Sequence, residues 1–411
     1  MKNKITNSVK QFTVCILFIF TFYACNKEKT LTNNPILVSE NIVGFSPSIP
    51  VPNHYIIVLK DDIKELEISK RSNNPELFKA AVTNLSNTII DSYDNLANIE
   101  HVYSNSLVGF SVEIEDNKIE LLKKDPRVLY VEQDQIISLD FESLNKGKSK
   151  PTTETPSQTI PYGITRVKGK NYTGENVLFI FDTGLDLLHP DLNIDVTLGY
   201  NATSGRDAKS LNDDNGHGTH VAGTAAAINN SIGVVGVAAG AKVVPIKVLG
   251  ANGSGTISGI IAGINHVANT FKNGDVANMS LGGGVSQALD DAVKNAANKG
   301  LKFALAAGNS GADANNSSPA RVNHSNVYTI SAMNNLDVFA SWSNYGNPPI
   351  DYCQPGVNIY STYIGGSYNT LSGTSMAAPH FAGILLHNSW INDGNVSNDK
   401  DLSPDVIAIV N

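Results

Sequence analysis

Three side chains in this sequence have the types and settings that acyl-transfer chemistry requires. Asp182 ends a run of large apolar residues in "LFIFDTG", His217 opens a helical segment in "NDDNGHGTHVAGTAAA", and Ser375 precedes an apolar helix in "SGTSMAAPHFAGILL". A carboxylate can orient an imidazole, the imidazole can act as general base, and a serine at a helix start is a nucleophile beside unpaired N–H groups. The sequence therefore predicts a catalytic triad in the chain order Asp, His, Ser.

Each of these motifs, taken alone, has another interpretation. Asp182-Thr183-Gly184 also fits half of a site in which two aspartates share a proton, but the chain has no second Asp-Thr-Gly triplet. His217 and His220 resemble a metal-binding pair, although no third ligand stands at a suitable spacing nearby. Structural roles are the alternatives to catalytic ones: Asp182 could belong to a turn, and the Ser and Thr residues near Ser375 could cap the start of a helix.

The elements that position these residues are predicted from the composition beyond Gln158, which is rich in Gly and Ala. Buried-type strands alternate with amphipathic helical segments, for example at 256–271 and 286–298. This alternation predicts an α/β domain over residues 158–390, with a doubly wound, mostly parallel sheet. Active groups of such sheets gather at the carboxyl ends of strands, where Asp182 and Asn309 stand.

A different pattern precedes this domain. Residues 54–140 have the order βαββαβ, with a helix over 75–91, and predict a ferredoxin-like α+β domain. Polar, Pro-bearing stretches flank it: residues 25–53 are interpreted as a tether and residues 141–157 as an exposed, cleavable linker. Residues 391–411 are interpreted as a short C-terminal tail whose Asp and Asn cluster forms a loop.

The N-terminus has the form of a secretory signal, assigned to residues 1–24. Early lysines precede an apolar run, Phe12–Ala24, that is too short to span a bilayer. The run ends in "FYAC", which resembles a bacterial lipobox in which Cys25 is acylated after cleavage, although Phe22 stands where Leu is favoured. The protein is therefore expected to be exported, with a precursor held at the membrane through lipid on Cys25.

Composition limits the remaining possibilities. The 411 residues are 41% hydrophobic and 17% charged, with a formal net charge of −8, so a large core is expected and nucleic acid is not an expected partner. Of the three cysteines, Cys15 leaves with the signal and Cys25 carries lipid. Cys353 then has no partner and is expected to be a small buried hydrophobe.

Beyond these arguments, most of residues 158–387 resembles the subtilisin-like serine proteases. The similarity is carried by "DTGLDLLHPDL", "NGHGTHVAGT", "SLGGG", "AAGNSG" and "GTSMAAPH", in that family's order, while "ADANNSSPA" resembles its proteinase K branch. The resemblance implies Asp182, His217 and Ser375 as the triad, and Asn309 with the Ser375 N–H as the oxyanion hole. It also implies that residues 54–140 are the inhibitory prodomain of a zymogen.

The same resemblance implies binding residues. Family substrates lie as an added strand between two backbone segments that border a specificity pocket, and the matching substrate-binding positions are Gly253, Ser254, Gly255, Ser280, Leu281, Gly282, Ala306, Ala307 and Gly308. A structural calcium ion is also implied, with ligands from the side chains of Gln158, Asp191 and Asn230 and from the carbonyl groups of Ile228, Ile232 and Val234.

The sequence thus predicts a secreted, calcium-stabilised serine endopeptidase that acts on polypeptides. Its prodomain serves as inhibitor and folding aid, and self-cleavage is expected shortly before Gln158. Maturation is expected to free the protease from the lipid on Cys25, leaving it outside the cell or at its surface. The alternative from another class is a surface lipoprotein that binds peptides without cutting them.

Overall fold

The computed structural model describes residues 42–72, 74–141, 156–401 and 403–411. The proposed signal peptide, Cys25 and most of the linker lie outside these residues. The described residues belong to one compact unit by their contacts. None of the helices in the described part of the chain has the length and apolarity that a membrane crossing requires.

The N-terminal domain is a ferredoxin-like α+β domain, as predicted. Its elements are β1 (Val43–Phe45), β2 (Ile49–Leu59), α1 (Lys64–Arg71), α2 (Pro75–Asp91), β3 (Asn98–Tyr103), β4 (Gly109–Glu113), α3 (Asp116–Leu122) and β5 (Val128–Phe141). The sheet order is β1-β5-β2-β4-β3, with antiparallel neighbours. Helix α2 begins at the predicted residue because the Asn74 side chain accepts from two N–H groups of its first turn and Pro75 follows.

The second domain is built on a ten-stranded sheet, most of whose neighbouring strands are parallel. Its strands are β6 (Lys170–Asn171), β7 (Val177–Asp182), β8 (Asn193–Ile194), β9 (Tyr200–Asn201), β10 (Ala238–Ala239), β11 (Lys242–Lys247), β12 (Ser254–Thr256), β13 (Val276–Met279), β14 (Lys302–Ala306), β15 (Val327–Met333), β16 (Ile350–Pro355), β17 (Ile359–Tyr363), β18 (Ser367–Leu371), β19 (Trp390–Asn395) and β20 (Val406–Val410). Its α-helices are α4 (Tyr162–Arg166), α5 (His217–Ala226), α6 (Ile257–Thr270), α7 (Gln287–Asn298) and α8 (Thr374–His387).

The main sheet runs β19-β20-β16-β15-β14-β13-β7-β11-β8, so β7 lies well inside it. All six residues of β7 are buried, as the continuous apolar run predicts for a strand covered on both faces. One core cluster extends from this sheet into the N-terminal domain through Ile56, Tyr103 and Ile137, while Leu66, Ile89 and Phe110 belong to a core of that domain alone.

Two of the predicted boundaries need correction. The interpretation of residues 25–53 as a tether fails for its last residues, because β1 and the start of β2 pair with β5. The interpretation of residues 391–411 as a separate tail is also wrong. Strand β20 is buried and pairs with β16, and β19 pairs with β20, so this segment extends the main sheet. The start of the N-terminal domain and the C-terminal segment form strands because they pair with distant parts of the chain. The polar residues around them do not reveal that pairing.

The C-terminal edge carries a pH-sensitive carboxylate. Asp405 is 3% exposed, and its carboxylate accepts a hydrogen bond from the Ser331 hydroxyl. Burial, together with the nearby Asp399 and Asp401, raises the pKa of Asp405 to about 7. The folded state therefore favours the protonated carboxyl group of Asp405. Its contribution to the free energy of unfolding is fully present below the ordinary pKa of about 4 and is lost as the pH rises through about 7.

We expect Asp405→Asn, which stays neutral, to become more stable relative to the parent chain as the pH rises from about 5 to about 8. Each pH unit between the two pKa values changes the stability of the parent chain by about 1.4 kcal/mol. The difference in free energy of unfolding between the variant and the parent chain should therefore grow by about 1–3 kcal/mol. The measurement is thermal unfolding of the variant and of the parent chain across this pH range. Glu175→Gln makes the same charge change at an exposed position and should show no such trend; an equal trend in both variants would contradict the assignment.

Candidate active site

The Asp182–His217 pair lies at the carboxyl edge of the sheet. Asp182 is the last residue of β7 and His217 the first of α5, and both are fully buried. The Nδ1 atom of His217 lies 2.8 Å and 2.9 Å from the two carboxylate oxygens of Asp182. Gly216, with φ of 111°, makes the left-handed turn that starts the helix. A carboxylate in this position fixes the ring with its Nδ1 protonated and leaves Nε2 to act as base.

Asp213, which the sequence did not single out, supports this pair. Its Oδ1 accepts from the Thr183 hydroxyl at 2.8 Å and from the Gly216 N–H at 2.9 Å. Its Oδ2 accepts from the Thr219 N–H and hydroxyl at 3.0 Å and 2.7 Å. Asp213 thus caps the start of α5 and links it to the residue after Asp182. A local signal was present in "NDDNG", but such turn residues are common and do not single out Asp213.

Ser375 is the second residue of α8 and is fully buried. Its hydroxyl donates to the Ser280 carbonyl at 3.2 Å, and the Ser280 hydroxyl donates to the Ser375 carbonyl at 2.8 Å. Ser280 directly follows β13, the neighbour of β7. The helix start that carries Ser375 is therefore fixed to the same sheet edge as Asp182.

The Asn309 side chain is oriented toward the cleft by the residue before the serine. Its Oδ1 accepts from the Thr374 N–H at 2.9 Å and from the Thr374 hydroxyl at 2.8 Å. With the oxygen held in this way, the amide nitrogen donates to the carbonyl of Val43. A Cβ atom built on Gly373 would lie 3.0 Å from that carbonyl oxygen, 3.2 Å from Asn309 Nδ2 and 3.7 Å from the Ser375 nitrogen. The Asn309 amide, the Val43 carbonyl and the Ser375 nitrogen thus surround one point beside Gly373, which is where the predicted oxyanion hole would lie.

The predicted substrate-binding segments border this point. On one side, β12 pairs antiparallel with the end of β5, and the Leu139 N–H donates to the Gly253 carbonyl at 3.0 Å. On the other side, Ser280, Leu281, Ala306 and Ala307 are buried, and the ring of Phe45 approaches Gly282 and Gly308. Asn344 was not predicted from the sequence; its Nδ2 donates to the Ala307 carbonyl at 2.9 Å and so fixes the backbone of the predicted pocket wall.

Carboxylates of the N-terminal domain cap two helices of the second domain. Asp134 accepts from the Ser258 N–H at 3.0 Å, in the first turn of α6, and also from the Ser258 hydroxyl. Glu132 accepts from the Ala288 N–H at 3.0 Å, in the first turn of α7. Negative charge is favourable at a helix N-terminus, although burial raises the pKa of Asp134. These contacts place the end of β5 in the cleft.

The predicted calcium ligands gather around the loop at 228–234. The Nε2 atom of Gln158 lies 3.1 Å from the Ile228 carbonyl, 3.4 Å from the Asn230 side-chain oxygen and 3.5 Å from the Val234 carbonyl. Asp191, fully buried, accepts from the Asn230 amide at 2.8 Å and the Val234 N–H at 3.0 Å. Burial raises the pKa of Asp191.

This oxygen-rich donor set fits a hard cation. A flip of the Gln158 amide would add its oxygen to the set. Ile232 is held in this loop by an antiparallel bridge with Ser157 and by its N–H, which donates to the Asn230 side-chain oxygen at 2.7 Å.

Comparison with known proteins yields two family matches. Residues 175–390 match the model described as "Subtilase family", and residues 54–140 match "Peptidase inhibitor I9". The chain is 38% identical over 313 residues to alkaline serine exoprotease A of Vibrio alginolyticus, covering 72% of this chain and 55% of that protein. It is 36% identical to proteinase R of Parengyodontium album, covering 73% and 74% of the two chains. It is 42% identical to M-protease of Shouchella clausii, covering 69% and 70%.

Proposed function

Because the chain belongs to the subtilase family and is a subtilisin-like serine protease made with an inhibitor domain, we propose that it is an exported endopeptidase that matures by cutting its own chain. The observation that carries the proposal is the peptide carbonyl of Val43, which accepts from Asn309 beside the Ser375 N–H. A site that holds a peptide carbonyl in this way is suited to peptide-bond hydrolysis.

In the proposed reaction each residue has a defined task. Ser375 attacks the scissile carbonyl while His217 takes its proton, and the imidazolium that results is stabilised by Asp182. Asn309 and the Ser375 N–H bind the oxyanion of the tetrahedral intermediate. His217 then donates the proton to the leaving amine, and water hydrolyses the acyl-enzyme in a second, equivalent cycle. Gly253–Gly255 and Ser280–Gly282 would hold the substrate as an added strand.

The first cut is proposed to fall after β5 and before Pro156, earlier than the position just before Gln158 that the sequence suggested. Residues after Pro156 are attached to the 228–234 loop, where the Gln158 N–H donates to Ser231 and the Thr159 N–H to Gly233. The end of β5 lies in the cleft instead, paired with β12. The first cut is therefore proposed in the linker that follows the end of β5.

The test is the fate of the purified precursor. We expect mass spectrometry to find a new N-terminus after Phe141, blocked by a serine-directed fluorophosphonate. Sensitivity to pepstatin without sensitivity to the fluorophosphonate would replace the serine mechanism by an aspartic one. The same spectra test the proposed anchor, because acyl mass should stay with the fragment that carries Cys25. An acyl group found on one intact chain with the mature protease would refute release by processing.

We also propose that a calcium ion binds to the oxygens of Gln158, Asp191, Ile228, Asn230, Ile232 and Val234 and stabilises this loop. With calcium a few hundred times above its Kd, chelation should lower the free energy of unfolding by about 3–4 kcal/mol. The measurement is the thermal midpoint of the Ser375→Ala chain with and without EGTA. Asp191→Asn should abolish the response and Asp195→Asn, the same charge change nearby, should keep it; an unchanged midpoint in the parent chain would argue against a bound ion.

A further inference from the structure

Residues 42–48, here called the leader segment, lie in the active-site cleft although they precede the inhibitor domain. The Val43 N–H donates to the Ser372 carbonyl at 2.8 Å, and Ile42 forms a parallel bridge with Ser372. The Val43 carbonyl accepts from the Asn309 amide, and Val43 is 1% exposed. The leader segment therefore occupies the position in which a scissile carbonyl would be polarised.

The leader segment also fills the space next to the specificity pocket. A Cβ atom built on Gly282 would lie 3.2 Å from the Phe45 ring, and one on Gly308 would lie 3.7 Å from it. Further along, the Ser48 hydroxyl accepts from the Gly284 N–H at 2.6 Å. Phe45 is thus placed between the two glycine-bearing walls that the pocket presents to a substrate side chain.

The direction of the leader segment is opposite to that of β5. The end of β5 pairs with β12 on one edge and with β1 on the other, and both pairings are antiparallel. In the register of the second pair, Val43 faces Phe141 and Phe45 faces Leu139, and the Ser46 N–H donates to the Ser138 carbonyl at 2.9 Å. The leader segment thus lies between β5 and the 282–284 backbone, and its chain direction is opposite to that of β5.

This reversal changes which atoms meet the catalytic groups. In a productive substrate, the residue in the pocket supplies its own carbonyl to the oxyanion hole, and the leaving amine lies on the far side, where the general acid can reach it. In the leader segment the carbonyl belongs to Val43, while the aromatic ring belongs to Phe45, two residues later. The amine that would leave, that of Gly44, lies toward the pocket. The geometry therefore binds the segment without aligning a bond for cleavage.

We propose that the leader segment is a second inhibitory element, a reversed strand that closes the oxyanion hole and the pocket of the precursor. It must leave before the linker can enter the cleft, so it controls the first self-cleavage separately from the inhibitor domain. This inference rests on the proposed protease function.

The first test compares Phe45→Asp with Ile49→Asp, a matched change at a position that is 62% exposed in β2. Loss of the partly buried Phe45 ring, which packs against the core, should make cleavage of the linker roughly tenfold faster in Phe45→Asp, while Ile49→Asp should cut at the parent rate. The readout is the initial rate at which the new N-terminus appears. An unchanged or slower rate in Phe45→Asp would overturn the proposal, as would early cleavage of the Phe45–Ser46 bond, which a substrate-like direction would produce.

The second test locks the leader segment in place. A Cβ atom on Gly284 would lie 3.5 Å from the Ser48 Cβ, a separation that suits a disulfide. In the Ser375→Ala chain the pair Ser48→Cys and Gly284→Cys should cross-link on mild oxidation, which tests the placement of the segment without requiring activity. With Ser375 present, the oxidised pair should cut its linker at least about tenfold more slowly than either single variant and recover on reduction.

Failure to cross-link, or normal linker cleavage in the cross-linked chain, would overturn the inference and leave the protease assignment intact. A parent chain that never cuts itself would instead contradict the proposed function, while the cross-linking result in the Ser375→Ala chain would still report on the leader segment. Thermal unfolding of each variant in that inactive background identifies any variant that has failed to fold.

Discussion

The Ser375→Ala precursor is expected to remain intact under conditions in which the parent chain converts to its mature form. The substitution removes the hydroxyl proposed to form the acyl-enzyme, together with its hydrogen bond to the Ser280 carbonyl. The reciprocal bond from the Ser280 hydroxyl to the Ser375 carbonyl uses the backbone and should persist. The fold should therefore survive while the rate of cleavage falls by about 10⁶, a magnitude known from subtilisin rather than derived for this chain.

The measurement is the appearance of the mature N-terminus by mass spectrometry, with fluorophosphonate labelling as a second readout. Ser389→Ala, an exposed serine just past the end of α8, is the matched control and should process at the parent rate. Persistent self-cleavage in Ser375→Ala would exclude the serine mechanism. A parent chain and a variant that both stay intact, yet bind peptides equally, would favour the silent peptide-binding protein instead.

The sequence alone nominates Asp182 and His217 for the triad because each stands at a strong local signal. The buried strand that "VLFIF" predicts ends at Asp182, and α5 begins at His217, where a run of turn residues gives way to Ala and Val. Parallel strands bring their carboxyl ends to one edge, so the predicted α/β class already implied that Asp182 and Asn309 lie on the same side.

What the sequence did not predict depends on partners far along the chain. Strand β1 exists because it pairs with β5, and β20 because it pairs with β16. The segment before β2 is Pro-bearing and polar, which is more typical of a linker. The short apolar run of β20, Val406–Val410, stands alone after a polar stretch, so its place in the main sheet was not evident. The short helix α1 was missed for a similar reason, since only Leu66 in it is buried. The supporting Asp213 was hidden because adjacent turn residues share its composition.

The leader segment shows how such a miss affects the functional interpretation. The expected inhibitory contact was between the prodomain and the cleft, and the structure has it through β5 and β12. The carbonyl at the Asn309 amide, however, comes from Val43, in the stretch interpreted as a tether. The inhibitor domain matches residues 54–140, so the contact with the Asn309 amide is made by a segment outside that domain.

The Asp182→Asn precursor is expected to fold normally and to cut itself about 10⁴ times more slowly than the parent, the loss typical of this change in a serine protease triad. Both carboxylate oxygens lie within 2.9 Å of His217 Nδ1, so the ring is held with a proton on that nitrogen. An asparagine can present its NH₂ group to Nδ1 instead, which favours the tautomer with the proton on Nε2. That tautomer cannot accept the proton of Ser375.

The outcome distinguishes a catalytic role from a structural one. Asp182 also accepts from the Thr183 N–H at 2.8 Å, and the side-chain oxygen of asparagine can keep that bond, so the thermal midpoint should change little. Asp275→Asn is the contrasting control, because Asp275 is 2% exposed and accepts from the Val177 and Lys272 N–H groups, away from the cleft. It should lose stability and keep its single-turnover rate of self-cleavage within a few-fold. If Asp182→Asn behaved like Asp275→Asn, Asp182 would have only a structural role in β7, and another group would have to orient the base that serves Ser375.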